Sequence, residues 1–433
     1  MNDVKRQSDK KVYKRKIVHD MPKENKPGNC IYAARCGGCQ YQGIPYEKQL
    51  KKKQKRVKEL LGNTVKIEPI LGMKDPFHYR NKVNAAFDRL RNGKIISGVY
   101  REGTHEVIDI TECQIENEQA DAIIQDIKGL LPSFKIKTYD EDTGYGLLRH
   151  VMIRTGYVTG EVMVALVLAS PILPSKNNFV KALRKLHPEI STIVLNVNDR
   201  KTSMVLGKRN ITLYGKGYIE DVLCGLTFRI SPASFYQINS VQTEILYSKA
   251  IEFAGLTGKE RVIDAYCGIG TIGMAAAKQA KEVIGVELNQ DAVRDAITNA
   301  KRNQMKHITF YNRDAGEFMA ELADRNEKID VVFMDPPRSG STKEFMDSAA
   351  ALKPKRVVYV SCNPETLARD VKYFGKKGYC VEKCQPVDMF PFTDDVEVVC
   401  LLSKLNSNKL KHINVELERD EFDLMACEEQ SNL

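Results

Sequence analysis

Cys362 lies in Ser361-Cys362-Asn363-Pro364, directly after the apolar run Val357-Val358-Tyr359-Val360. Proline biases the residue before it toward extended backbone, so the strand predicted over 357–360 stops abruptly. The thiol is left at its carboxyl edge, where open α/β sheets build their sites. A cysteine there is either a small core-filling residue or a covalent nucleophile, and the choice depends on its partners. One candidate partner is a carboxylate. Asp394-Asp395-Val396-Glu397 leads into the apolar run Val398-Val399-Cys400-Leu401-Leu402. Glu397 is therefore expected at the head of a second strand, with Phe390-Pro391-Phe392 shaping the approach.

A thiolate and a general base are the pair needed to substitute carbon 5 of a uracil. That carbon is a poor nucleophile until a thiolate adds at carbon 6 and generates an enolate. The carbon 5 proton must then be taken up before the cysteine can leave. Because a free cysteine is mostly protonated at neutral pH, a positive local environment is expected around Cys362.

Upstream, Val262-Ile263-Asp264-Ala265 runs into Tyr266-Cys267-Gly268-Ile269-Gly270-Thr271, a strand followed by a glycine turn that lets backbone approach a ligand. Val283-Ile284-Gly285-Val286-Glu287 is a second strand ending in an acid spaced to hold ribose hydroxyls. S-adenosylmethionine, in preference to NAD, is the cofactor expected of this turn. Asp314 either holds an adenine or caps a helix. Asp335-Pro336-Pro337-Arg338 ends a strand with a rigid, donor-poor loop that fixes a carboxylate beside the transferred methyl. The loop DPPRSG lacks cysteine, which favours uracil over cytosine, and Asp335 can accept from the N3-H that cytosine lacks.

These residues need a scaffold. The chain has 433 residues and 42% hydrophobic content, enough for two or three domains. No apolar run is long enough to cross a bilayer or serve as a signal peptide, so a cytoplasmic protein is expected. The eleven cysteines are then expected to be free, catalytic or metal-binding. A net charge of +10 favours a polyanionic partner. Residues 1–29, with nine Lys/Arg against four Asp/Glu, read as a flexible basic arm, and 406–433 as an acidic tail. Residues 46–61 read as a helix with an apolar stripe (Tyr46, Leu50, Val57, Leu60, Leu61) and a dense basic face, ended by Gly62. That face is either solvated or contacts phosphates. Residues 30–228 are expected to form a mostly antiparallel α+β, RNA-binding domain, and 229–405 a Rossmann-like, doubly wound α/β methyltransferase domain.

In this order, Ser231-Pro232-Ala233-Ser234-Phe235-Tyr236-Gln237-Ile238-Asn239, DAYCGIGT, GVEL, MDPPR, SCNP and DDVE resemble the S-adenosylmethionine-dependent RNA uracil-5 methyltransferases across residues 30 to about 405. The resemblance implies Cys362 as nucleophile and Glu397 as proton acceptor. It also implies cofactor contacts from Gln237, Tyr266, Gly268, Gly270, Thr271, Glu287, Asp314 and Asp335. The family commonly has His two residues before the base; here Asp395 stands there.

Cys30, Cys36 and Cys39, with the distant Cys113, form a quartet whose thiolates suit either zinc or an iron-sulfur cluster. The quartet resembles the [4Fe-4S] site of the ribosomal-RNA members, which implies that cluster and a 23S rRNA substrate. Many such members also carry an amino-terminal TRAM barrel, for which the 29 residues before Cys30 are too few.

Overall fold

The computed structural model describes residues 30–62 and 65–405; the expected basic arm and acidic tail lie outside the described residues. Short segments, the central ones apolar and buried on both faces as inner parallel strands require, assemble an eight-stranded sheet. Ile308–Asn312, Glu282–Glu287, Arg261–Ala265, Val331–Met334 and Arg356–Ser361 lie side by side and parallel. Glu397–Lys404 follows, antiparallel to both its neighbours; then come Tyr379–Val387 and, at the edge, Lys66–Ile67. Helices cover both faces over two apolar cores. This is the expected α/β methyltransferase architecture.

A second, seven-stranded sheet has the order Val107–Asp109, Ile95–Tyr100, Lys82–Arg89, Leu148–Thr155, Val162–Leu168, Ile190–Val197, Arg209–Tyr214. It is antiparallel except between Val162–Leu168 and Ile190–Val197, which the helix Lys176–Leu186 connects. A hairpin of Ile219–Leu223 and Leu226–Ile230 turns at Cys224-Gly225, both with positive φ (52° and 67°), as tight hairpins demand. Its inward residues share one core with Met152 and Met163 of this sheet and with Leu246 of the helix Ser240–Ala254.

The helix Tyr46–Leu61 has the expected bounds, and its fully buried row takes Val57 and Leu61 from the expected apolar stripe but fills its first two places with Gln49 and Lys53. Lys53, on the basic face expected to be solvated or to contact phosphates, is instead completely buried against Asp388, with Nζ 2.6 Å from Oδ1. The cysteines also depart from expectation. Cys384 and Cys400 form a disulfide across neighbouring antiparallel strands, because the register sets them opposite each other with Cα atoms 4.3 Å apart. Among the described residues, no helix is long and apolar enough to cross a membrane.

Candidate active site

The antiparallel strand explains how the two chemical residues meet. Arg356–Ser361 ends where Glu397–Lys404 begins, with Ser361 paired to Val398, so Cys362 and Glu397 both lie at the carboxyl edge of the parallel sheet. Asn363 is extended (φ −138°, ψ 103°) and its side chain accepts from the N–H groups of Glu365 and Thr366, starting the helix Pro364–Lys376 with proline in its first turn. The sharp stop predicted from Pro364 is therefore a strand-to-helix corner, and Cys362 sits on it.

Glu397 is buried, and its Oε2 has no hydrogen-bond partner. Such an atom is costly unless something else completes it. Burial raises its carboxyl well above the usual range, Asp335 and Asp395 add to the rise, and Arg338 opposes it. Burial likewise holds Asp335 up at about 7. The thiol of Cys362 is pushed up to about 12 by burial and then by Glu397 and Asp335, while Arg338 lowers it. The positive surroundings expected for this thiol are thus reduced to one guanidinium outweighed by two acids. Asp395, in the position where His is common, accepts from Arg338 Nη2 at 2.6 Å. The Arg338 carbonyl in turn accepts from Asn363 Nδ2 at 3.1 Å, so the Asp-Pro-Pro loop is tied to the cysteine corner.

The glycine turn follows the strand Arg261–Ala265. Tyr266, Gly268 and Gly270 all have positive φ (66°, 55° and 85°). No atom lies within 4 Å of where a Cβ on Gly268 would sit, so this backbone faces open room for a ligand. Glu287 Oε2 accepts from Gly268 N at 3.1 Å and Oε1 from Asn289 N at 2.7 Å, which holds the acid across the turn. Tyr266 stacks on Phe345, with centroids 4.9 Å apart. The Thr271 hydroxyl meets Tyr247 Oη at 3.0 Å. Gln237 is buried and its carbonyl accepts from Asn81 Nδ2 at 3.0 Å. Asp314 caps the helix Ala315–Asp324 by accepting from Glu317 N at 3.0 Å. An open glycine-lined backbone with an acid fixed beside it fits an adenosine-bearing cofactor.

The family model described as tRNA (uracil-5-)-methyltransferase matches residues 45–405. The chain belongs to this family of S-adenosylmethionine-dependent RNA methyltransferases. Its similarity to an uncharacterized RNA methyltransferase of Caldanaerobacter subterraneus subsp. tengcongensis is 43% identity over 87% of this chain and 84% of that one. An uncharacterized RNA methyltransferase of Bacillus cereus is 41% identical over 90% of this chain and 85% of that one. Among solved structures, the Pyrococcus abyssi tRNA (uracil-54, C5)-methyltransferase, in complex with S-adenosyl-L-homocysteine, is 30% identical with a TM-score of 0.72. That match covers 88% of this chain and 87% of the other.

The iron-sulfur expectation fares differently from the family assignment. Cys30, Cys36, Cys39 and Cys113 do line one small cavity, yet among the described residues no group of three or more His, Cys, Asp or Glu is arranged to hold a metal ion. Cys36 ends the short helix Ala33–Cys36 before Gly37, and the Cys113 N–H is bound to Asp121 Oδ2 at 2.7 Å. Cys267, the thiol nearest the cofactor turn in sequence, is buried and pushed far up by burial, which leaves Cys362 as the accessible sulfur of the site.

Sequence reasoning missed Arg338 as the one cation bearing on Cys362, and missed Gln49, Lys53 and Asp388. The arginine was signalled by its place directly after Asp-Pro-Pro. Gln49 and Lys53 were signalled by recurring with Val57 and Leu61 every four residues, a spacing of one helix face; Asp388 carried no such signal.

Proposed function

We propose that the protein transfers a methyl group to carbon 5 of a uridine in 23S rRNA, with Cys362 as nucleophile and Glu397 as proton acceptor. The observation that carries this reading is the placement of a half-buried thiol and an unpartnered carboxylate at adjoining strand ends. The Cys362 thiolate forms a bond to carbon 6 of the uracil, and the electron pair of the 5,6 double bond moves onto carbon 5 and the carbonyl. S-adenosylmethionine, when bound, supplies the electrophilic methyl. Glu397 then takes the carbon 5 proton. The electron pair left behind restores the double bond and expels the thiolate. Asp335 accepts from the N3-H of the uracil. Gln237, Tyr266, Gly268, Gly270, Thr271, Glu287 and Asp314 surround the cofactor.

In this reading residues 30–228 grip RNA, 229–405 carry the reaction, and the cysteine quartet holds a [4Fe-4S] cluster; shared lining of one cavity supports the quartet. An RNA substrate of this kind makes the protein cytoplasmic. A second reading, the same reaction on tRNA, is favoured by the Pyrococcus abyssi neighbour, whose substrate is tRNA.

Mass spectrometry of nucleosides, after incubating separated unmodified rRNA and tRNA with the protein and cofactor, tests both. 5-Methyluridine in 23S rRNA supports the first and in tRNA the second, whereas 5-methylcytidine or no product removes the roles given to Cys362 and Glu397.

A further inference from the structure

The segment that delivers Glu397 to the site is the loop 388–396, and it contains an unusual residue. Phe392 has φ 68°, a left-handed conformation that costs a bulky side chain on the order of 1–3 kcal/mol and persists only where the surroundings impose it. One face of the helix Tyr46–Leu61 does the imposing. Gln49 Oε1 accepts from the N–H of Phe392 itself at 2.9 Å. Lys53 Nζ donates to the Phe390 carbonyl at 3.0 Å and to Asp388 Oδ1 at 2.6 Å. Arg56 Nη1 donates to the Asp394 carbonyl at 2.8 Å. Tyr46 Oη donates to the other oxygen of Asp388 at 2.8 Å. The spacing of Gln49, Lys53 and Arg56 places three polar groups in a row along the loop, and the first two are fully buried.

We infer that this helix is a positioning device for the proton acceptor: Gln49, Lys53 and Arg56 fix the path of residues 388–396 and so the placement of Glu397 opposite Cys362. A core that needed only apolar cover here would not bury a lysine and a glutamine, since each costs free energy unless its hydrogen bonds are made. Apart from Gln49 Nε2, which donates to the Ile44 carbonyl, their bonds go to this one loop: to the Phe390 carbonyl, the Phe392 N–H and the Asp388 carboxylate. The inference rests on the reaction proposed above.

The two substitutions to make are Lys53→Met and Arg56→Ala; Arg56 is about a third exposed (35%), so its loss leaves the fold standing. The readouts are kcat, KM for S-adenosylmethionine, and the covalent protein–RNA adduct surviving a denaturing gel with ordinary uridine substrate. A misplaced base delays proton removal after methyl transfer, so the adduct accumulates. We expect kcat to fall on the order of 10²-fold in Lys53→Met and less in Arg56→Ala. Both should accumulate adduct, as is expected of Glu397→Gln, with KM for the cofactor unchanged. A general loss of stability would lower adduct and turnover together.

Wild-type turnover in both variants, or lost turnover without adduct, overturns the positioning role. Failure of the wild-type protein to form an adduct with 5-fluorouridine RNA overturns the proposed reaction and the inference with it.

Discussion

Glu397 begins the strand that pairs, in antiparallel register, with the strand ending one residue before Cys362. A parallel neighbour would carry its first residue to the opposite edge of the sheet. Strand direction is therefore what puts an acid and a thiol on the same rim, where burial raises both and the acid raises the thiol further.

Replacing Glu397 with Gln keeps the shape and removes the base. Turnover should fall by about 10²–10⁴-fold, while adduct with uridine RNA becomes visible on a denaturing gel. Loss of turnover with no adduct would show that Glu397 acts before proton removal.

With its thiol pushed up to about 12, Cys362 in the resting protein is thiolate to roughly one part in 10⁴ at pH 8. Its alkylation by iodoacetamide should therefore be slow at neutral pH and rise about tenfold per pH unit. The sign is fixed: a raised thiol pKa and a raised Glu397 both place the active forms at higher pH, so kcat/KM should climb through the neutral range. Arg338→Gln removes the charge that lowers the thiol and should slow alkylation further. Equal rates in both proteins would mean that the guanidinium does not act on the sulfur.

Gly268 combines a positive φ with open room beyond it. Gly268→Ala adds a methyl where the cofactor is expected, as well as backbone strain of about 1–2 kcal/mol. Calorimetric titration with S-adenosylmethionine should show affinity reduced by about tenfold or more, against little change in the far-ultraviolet circular dichroism. Unchanged affinity would place the cofactor away from this turn.

Lys53 and Asp388 are both completely buried. Lys53→Met strands the carboxylate and should cost about 3–5 kcal/mol in urea unfolding. Lys53→Met combined with Asp388→Leu removes both charges and should cost less. A double variant as unstable as the single one would show that the pair is not coupled.

The cysteine quartet has a direct test. Anaerobic reconstitution with iron and sulfide should give visible absorbance with four irons per chain, the number a [4Fe-4S] cluster contains, and Cys39→Ala should lose it. Zinc alone, or no metal, would remove the cluster.

The parallel sheet and its chemical residues were legible because each lay at the end of a short apolar run. Glu287, Asp335, Cys362 and Glu397 all mark strand ends or the residues just beyond them. The central strand Leu148–Thr155 was not legible. Its sequence contains Arg149, His150 and Arg154 and shows no apolar alternation, yet every residue is buried. Arg149 is satisfied there by a two-point contact with Glu141, at 2.9 and 2.8 Å, and by the Asn198 and Arg200 carbonyls. Lys53 was misplaced for the same reason. Its partner Asp388 lies 335 residues away, and hydrophobic periodicity counts a lysine as solvated whatever pairs with it. The rise in the Cys362 thiol also escaped the sequence, because it arises from burial and then from acids brought in by other segments.

The distance along the chain between Lys53 and Asp388 has a kinetic side. The strand Glu397–Lys404 lies between two strands made before it, so during synthesis the sheet stays split until nearly the last described residue has emerged. Early in synthesis, the helix Tyr46–Leu61 carries a lysine and a glutamine whose partners in the loop 388–396 do not yet exist. Folding must wait for the contact of longest range in the described chain's catalytic loop, and such contacts close slowly. The two ends of the described chain are thus joined late, and competence for catalysis should be the last property the nascent protein acquires.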